Sequence, residues 1–325
     1  MSNLPYTRSN IRQWARETLR GIFEAPMTPI TADFQLDEAG IHHNIEKYLD
    51  LGVEGLVTGG NLSEGWNMTP DEWKRCHAVY AEAARGKAEL FTIILDSSPR
   101  IAVEKLNYVQ SLGFTGAEIM NPPFGLVTEQ DGIDYFKYIS DHSDMAIVVY
   151  RSPSSGRLLS HATIAEIMKL PTVVGMKQGS LRAETVYLRE VCPEDSLVMQ
   201  PLEWDFMHDL WRGGVPCMFA NYVYTIYGKK REMLRSYMND AVAGNWKRGW
   251  DTFHALRPVQ VAIDKSHSTS LDIDQVGSYV RANTIVKAWF EAVGFKAGPP
   301  LPPLQQVSAA VREQVQQTAR EIGVI

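Results

Sequence analysis

The sequence predicts an α/β fold, a single (β/α)8 barrel with additional C-terminal helices. Three observations carry this: eight short apolar runs, amphipathic segments between them, and no glycine-rich dinucleotide fingerprint after the first run. The runs fall at 21–28, 55–59, 90–95, 117–120, 146–150, 173–177, 197–200 and 216–219. Strands apolar on both faces and separated by helices imply a parallel sheet, and eight such units close into a barrel. A doubly wound open sheet is the competing fold, and it calls for the fingerprint that is missing here. The intervening segments carry helix signals. Thr69-Pro70-Asp71-Glu72 is a capping box with proline at the first helical position. Ser98-Pro99 opens the next helix, and Leu112-Gly113 closes it with a residue suited to the left-handed region. Ile41, Ile45 and Leu49 recur at helical spacing, as do Ile164, Ile167 and Met168. After Tyr222 the pattern is helical over 222–242, 244–264 and 275–293. The stretch Ala297-Gly298-Pro299-Pro300-Leu301-Pro302-Pro303 breaks it before a last helix at 306–322. The expected organisation is an N-terminal helical extension (1–20), the barrel (21–221) and a C-terminal helical region (222–325).

Composition narrows the function classes. Of 325 residues, 45% are hydrophobic and 22% charged, which suits a globular chain with a substantial core. Lys plus Arg number 32 against 38 Asp plus Glu, a net charge of −6, and there are no basic runs, so nucleic acid is not an expected partner. No apolar stretch approaches the roughly 20 residues needed to cross a bilayer, and no membrane partner is expected. Arg8, Arg12, Arg16 and Arg20 surround Trp14 without the apolar core of a signal peptide, and Glu17 favours a surface helix over a transit peptide. Cys76, Cys192 and Cys217 form neither a zinc pattern nor a disulfide framework, so a cytoplasmic location is expected.

In a barrel the reacting groups stand at the C-terminal ends of strands. Those ends are Thr28, Gly60-Asn61, Asp96, Asn121, Tyr150, Lys177, Gln200 and Met218-Phe219. Lys177 ends the run Val173-Val174-Gly175-Met176. An ammonium among apolar walls loses hydration, which favours the free amine. Free amine is what attack on a ketone requires. Tyr150 ends the neighbouring strand, and a phenol there shuttles protons in imine chemistry. The structural alternatives stay open at this point: a lysine paired with a rim carboxylate, and a tyrosine donating to a backbone carbonyl.

Four segments, each at a strand end, follow one another in a familiar order: Pro26-Met27-Thr28-Pro29, Gly60-Asn61-Leu62-Ser63-Glu64, Tyr150-Arg151-Ser152-Pro153 and Val174-Gly175-Met176-Lys177. In this the chain resembles the dihydrodipicolinate synthase/N-acetylneuraminate lyase superfamily, from about residue 21 to residue 304. The resemblance implies a class I aldolase-type barrel, a homotetramer, in which Lys177 forms a Schiff base with pyruvate or a related 2-oxo acid and Tyr150 shuttles protons. It implies no metal and no cofactor beyond the covalent imine on Lys177. Thr28, Gly60, Asn61, Leu62, Ser63, Phe124, Arg151 and Met218 are the expected substrate-binding residues.

The chain also departs from the pattern. The family's glycine-threonine-threonine-glycine-glutamate stands here as Gly60-Asn61-Leu62-Ser63-Glu64, and Leu62 has no side-chain donor for a substrate carboxylate. Phe124 replaces the relay tyrosine, and Arg151 replaces the asparagine after the strand-end tyrosine. The arginine that grips the second substrate is missing, with Arg151 or Arg157 as an alternative clamp or as plain loop arginines. Lysine biosynthesis is therefore not the expected role. Leu62, Trp66, Phe124, Met218 and Phe219, with Trp204 nearby, predict an apolar pocket suited to an aromatic or apolar aldehyde, as in hydratase-aldolases that likewise lack the relay tyrosine. The leading expectation is thus a Schiff-base lyase that releases or consumes pyruvate. One alternative is a dehydratase of a 2-oxo-3-deoxy sugar acid. Another, motivated by the altered 60–64 loop, is a non-catalytic 2-oxo acid-binding barrel.

Overall fold

The protein is represented by a computed structural model that describes residues 3–180, 182–269 and 283–325. Among these residues eight strands run in chain order: β1 (Gly21–Glu24), β2 (Gly55–Thr58), β3 (Glu89–Ile94), β4 (Gly116–Met120), β5 (Ala146–Arg151), β6 (Val173–Gln178), β7 (Leu197–Met199) and β8 (Cys217–Asn221). Every ladder is parallel, each strand pairs with its sequence neighbour from β1 to β7, and β1 also pairs with β8. β7 and β8 meet at the seam, which completes a (β/α)8 barrel.

The helices are α1 (Ile11–Thr18), α2 (Glu38–Asp50), α3 (Pro70–Ala84), α4 (Pro99–Leu112), α5 (Glu129–His142), α6 (His161–Ile167), α7 (Arg182–Val191) and α8 (Glu203–Trp211). Their starts follow local chemistry. Thr69 and Glu72 form the expected capping box on α3, and Gly113 ends α4 in the left-handed region. β1 stops at Glu24, short of the expected Thr28, because Pro26 has no N–H to continue the ladder.

Alternation along the strands sorts the core into two layers. Ile22, Leu56, Ala117, Ile119, Ile147 and Val149 face the surrounding helices. Phe23, Val57, Phe91, Ile93, Val148 and Phe219 face the barrel axis. The rings of Phe23, Phe91 and Phe219 meet at centroid distances of 5.5–5.9 Å. Gly55 and Gly116 make room for them: a Cβ would lie 2.4 Å from the Phe23 ring and 2.2 Å from the Phe91 ring. Each buried phenylalanine contributes about 1.5–3 kcal/mol of transfer free energy, so this end of the barrel is a packed core. Ile11, Ala15 and Leu19 of the N-terminal segment join the same cluster. Tyr6 donates to the Thr115 carbonyl and accepts from Ala146 N, which pins this segment over the N-terminal ends of β4 and β5.

The expected helix 222–242 is interrupted. α9 (Val223–Ile226) gives way to a single 3-10 turn, Gly228–Lys230, before α10 (Glu232–Val242). A Cβ on Gly228 would lie 1.9 Å from the Val324 carbonyl oxygen, so the chain end takes the space a side chain would fill. The expected helix 244–264 is divided into α11 (Trp246–Ala255) and α12 (Arg257–Thr269), with Pro258 in the first turn of the second, where its missing N–H is tolerated. The first part of the helix expected at 275–293 lies outside the described residues, and α13 spans Asn283–Ala292. The last helix, α14, is Ala309–Glu321. No helix among the described residues is long and apolar enough to cross a membrane.

Candidate active site

Lys177 and Tyr150 face one another across the β5–β6 ladder as direct register partners. The Lys177 Nζ sits 4.4 Å from the centroid of the Tyr150 ring, a cation–π distance. Lys177 is buried and Tyr150 half-buried. The Lys177 Nζ donates to the Ala220 carbonyl at 2.9 Å and to Glu118 Oε1 at 3.4 Å. Ala220 has φ of 51°, a left-handed conformation that an alanine adopts at a cost of roughly 1–3 kcal/mol.

Glu118 was not among the residues singled out from the sequence. It lies on β4 opposite Val148 and is fully buried. Burial pushes its pKa up, and the neighbouring ammonium of Lys177 offsets part of that. The signal was available: Glu118 stands two residues before Met120 in a strand otherwise buried on both faces, and a mid-strand carboxylate needs a partner.

The other expected site residues divide. Arg151 follows Tyr150 and therefore points to the opposite face of β5. Its guanidinium donates to the Leu159 carbonyl, Gln178 Oε1 and Glu184 Oε2 at 3.0–3.2 Å, so it is engaged between sheet and helices rather than beside Lys177. Burial works against ionisation of Glu184, but Ser180, Arg151 and His161 hold its pKa down to about 2. Arg157 is tied to the Leu126 and Val127 carbonyls and to Glu129. Met218 pairs with Ile22 in the outer layer, while Phe219 faces the axis, since two consecutive strand residues cannot share a face. Thr28 is buried, and its carbonyl accepts from Lys287 Nζ. The pocket wall expected from Met218 and the polar contact expected from Arg151 are therefore directed elsewhere.

The 60–64 loop is a compact turn in which Gly65 N donates to the Gly60 carbonyl and Glu64 N to the Asn61 carbonyl. A Cβ on Gly60 would lie 2.3 Å from Ile93 Cδ1, so a larger residue here would have to displace the end of the Ile93 side chain. Ser63 donates to the Pro26 carbonyl at 2.7 Å, and Leu62 packs against the outer core. Asn61 is half-buried. Glu64, at φ of 56°, accepts from Leu301 N and is paired with Lys287 of α13 at 3.2 Å. Both side chains are buried. The C-terminal region thus fastens the loop from behind, an arrangement that sequence reading left open. Phe124 is 73% exposed on the loop after β4, and Trp66 and Trp204 are also exposed at this end of the barrel.

Comparison with known proteins follows the same line. The model of the dihydrodipicolinate synthetase family matches residues 18–247. A 4-hydroxy-tetrahydrodipicolinate synthase from Methanopyrus kandleri is 23% identical over 313 residues, covering 94% of this chain and 97% of the relative. One from an Exiguobacterium strain is 26% identical over 311 residues, covering 91% and 95%. Among solved structures, a prophage protein of the dihydrodipicolinic acid synthase family from E. coli K12, in complex with pyruvate, superposes with a TM-score of 0.81 at 17% identity, covering 94% of this chain and 99% of that one. The dihydrodipicolinate synthase of Thermotoga maritima gives a TM-score of 0.79 at 21% identity, covering 95% and 100%. The chain belongs to the dihydrodipicolinate synthetase family of class I aldolase-type lyases, which work through a lysine imine and no dissociable cofactor.

Proposed function

We propose that the protein is a Schiff-base lyase in which Lys177 forms an imine with pyruvate, releasing or consuming it, and Tyr150 shuttles the protons. The observation that carries this reading is the buried amine of Lys177 held over the Tyr150 ring at the C-terminal ends of β6 and β5. The likeness to a pyruvate-bound relative supports the choice of 2-oxo acid. For the second substrate we infer an apolar or aromatic aldehyde rather than the one used in lysine biosynthesis. Phe124 in place of the relay tyrosine supports this, as does the engagement of Arg151 and Arg157 away from Lys177. Asn61 and the backbone of the 60–64 loop are the proposed seat of the substrate carboxylate, with Ser63 contributing through its backbone because its hydroxyl is donated to the Pro26 carbonyl. We further propose a homotetramer in the cytoplasm; exposed Phe124 and Val127 at the barrel mouth favour assembly, and sedimentation velocity tests it.

The test is reductive trapping. The protein is incubated with pyruvate, treated with borohydride, and examined by intact mass and peptide mapping. A single adduct on the peptide carrying Lys177, absent in Lys177→Ala, is expected. An adduct on another lysine, or none with pyruvate and a panel of larger 2-oxo acids, overturns the assignment. A panel of aldehydes offered with pyruvate then tests the second substrate, and condensation confined to polar aldehydes refutes the apolar preference.

A further inference from the structure

Below Lys177 the interior of the barrel is walled by Val57, Phe91, Ile93 and Val148, and the carboxylate of Glu118 stands among them. One of its oxygens, Oε1, meets the Lys177 Nζ at 3.4 Å. Among the described residues no donor reaches the other, Oε2, although the side chain is fully buried. An unsatisfied buried acceptor costs roughly 1–3 kcal/mol, and a buried ion pair is often no more stabilising than apolar packing of the same volume. Fold stability alone therefore gives no reason for a carboxylate here. The ladders define its direction of approach. Met120 pairs with Tyr150, Tyr150 with Lys177, and Glu118 with Val148, one inward-facing layer deeper. Glu118 thus reaches the nitrogen from the closed interior, whereas a substrate arrives from the mouth.

We propose that Glu118 is the acid–base catalyst at the lysine nitrogen, taking up and returning one proton as the imine forms and breaks. This rests on the reading of Lys177 given above. The cycle starts from the ion pair of Lys177 and Glu118. Glu118 takes one ammonium proton, which leaves a neutral amine and a carboxylic acid. The amine lone pair attacks the ketone carbon, the carbonyl pair moves to oxygen, and a proton passes from nitrogen to that oxygen to give the carbinolamine. The proton held by Glu118 then goes, through the nitrogen side of the adduct or a water, to the departing hydroxyl. The nitrogen lone pair expels water, and the product is a protonated imine beside an ionised Glu118. Ammonium plus ketone has become iminium plus water, and the carboxylate is unchanged. In hydrolysis the same steps run backwards. Positioned below the nitrogen, Glu118 serves that atom while Tyr150 serves the substrate side, which divides between two groups the work that Phe124 removes from the usual relay.

The experiment compares the rate of borohydride-trapped pyruvate adduct in wild type, Glu118→Gln and Glu118→Asp, with circular dichroism and Tm as folding controls. Glu118→Gln is expected to give the same Lys177 adduct about 10²–10⁴-fold more slowly, the range typical of a positioned acid–base group. Glu118→Asp, whose carboxylate stops one bond short, is expected to be at least about 10-fold slower. A carboxylate serving only as counter-ion predicts otherwise: without it the free amine is favoured, and Glu118→Gln traps at the wild-type rate or faster. That outcome overturns the proposal. If Glu118→Gln does not fold, Glu118→Asp decides, and trapping at the wild-type rate overturns it equally. Wild-type protein that gives no Lys177 adduct overturns the lysine reading and this proposal with it.

Discussion

Replacing Lys287 by methionine tests whether the C-terminal helices hold the 60–64 loop in place. The Lys287 Nζ lies 3.2 Å from Glu64 Oε1 and donates to the carbonyls of Thr28 and Ala297 at 3.1 Å each. Both members of the ion pair are 1% exposed, so neither is screened by water. Burial pushes the Lys287 pKa down, and the Glu64 carboxylate offsets part of that. Methionine fills most of the space of the lysine stem, so the cavity contribution is small. What is lost is the charge, together with the two hydrogen bonds to the Thr28 and Ala297 carbonyls. Glu64 would keep a bond from Leu301 N but would stand as an uncompensated buried carboxylate, a loss of about 3–5 kcal/mol. For a chain of this size that corresponds to roughly 4–7 °C in Tm, read by differential scanning fluorimetry and checked by calorimetry. The double variant Lys287→Met/Glu64→Gln removes the orphaned charge while keeping an acceptor for Leu301 N. It should be more stable than the sum of the single losses by about 1–3 kcal/mol. A loss below about 1 kcal/mol in Lys287→Met, the size expected of an exposed pair, or strict additivity in the double variant, would refute the argument. The same variant should need a higher concentration of pyruvate for half-maximal trapping, because the loop beside Glu64 loses its brace.

Further perturbations follow from the same geometry. Glu24 is fully buried against Thr225, and burial pushes its pKa up from 4.5 to about 8, with the Thr225 hydrogen bonds opposing. The folded state then holds this proton more tightly than the unfolded chain, so the stability it contributes is present below about pH 4.5 and lost as pH rises to about 8. Glu24→Gln should accordingly be more stable than wild type at pH 8–9, with the gain shrinking toward pH 5 by at most about 1.4 kcal/mol per pH unit; a gain that grows toward acid pH would contradict the sign. Gly116→Ala places a Cβ 2.2 Å from the Phe91 ring and should lower stability by about 1–3 kcal/mol in thermal unfolding, whereas an unchanged Tm would mean the aromatic trio is not close-packed. Tyr150→Phe keeps the ring under Lys177 and removes only the phenol. Steady-state carbon–carbon cleavage should fall about 10²-fold or more with little change in Tm, and full activity would remove Tyr150 from proton transfer.

Much of this molecule could be read along the chain. Each of the eight strands was legible because a parallel strand covered by helices shows as an apolar run, and the capping box at Thr69 marked a helix start without reference to anything distant. The differences in extent had local causes at Pro26 and Pro258 and a distant one at Gly228. The 222–242 segment breaks at Gly228, whose φ of 50° leaves the right-handed helical region, and Val324, far away in the chain, takes the space a side chain would need there. Reading strand ends brought out Lys177 and Tyr150, which the fold does set face to face, but treated neighbouring residues as if they shared a face. The pleat separates Tyr150 from Arg151 and Phe219 from Met218. Glu118 lies one inward-facing layer below the strand ends, so the strand ends alone do not point to it.

The sequence by itself determined the barrel, the strand order, the family likeness and the two groups that face each other at the ends of β5 and β6, because each depends on local periodicity or on residues at short spacing. Only the tertiary structure decided which charges meet. Lys177 and Glu118 are 59 residues apart, and Glu64 and Leu301 are 237 apart. Those pairings follow from closing the sheet and folding the C-terminal chain back over it. A buried charge needs a partner, but which partner it finds is set by the closure of the barrel and not by the residues beside it.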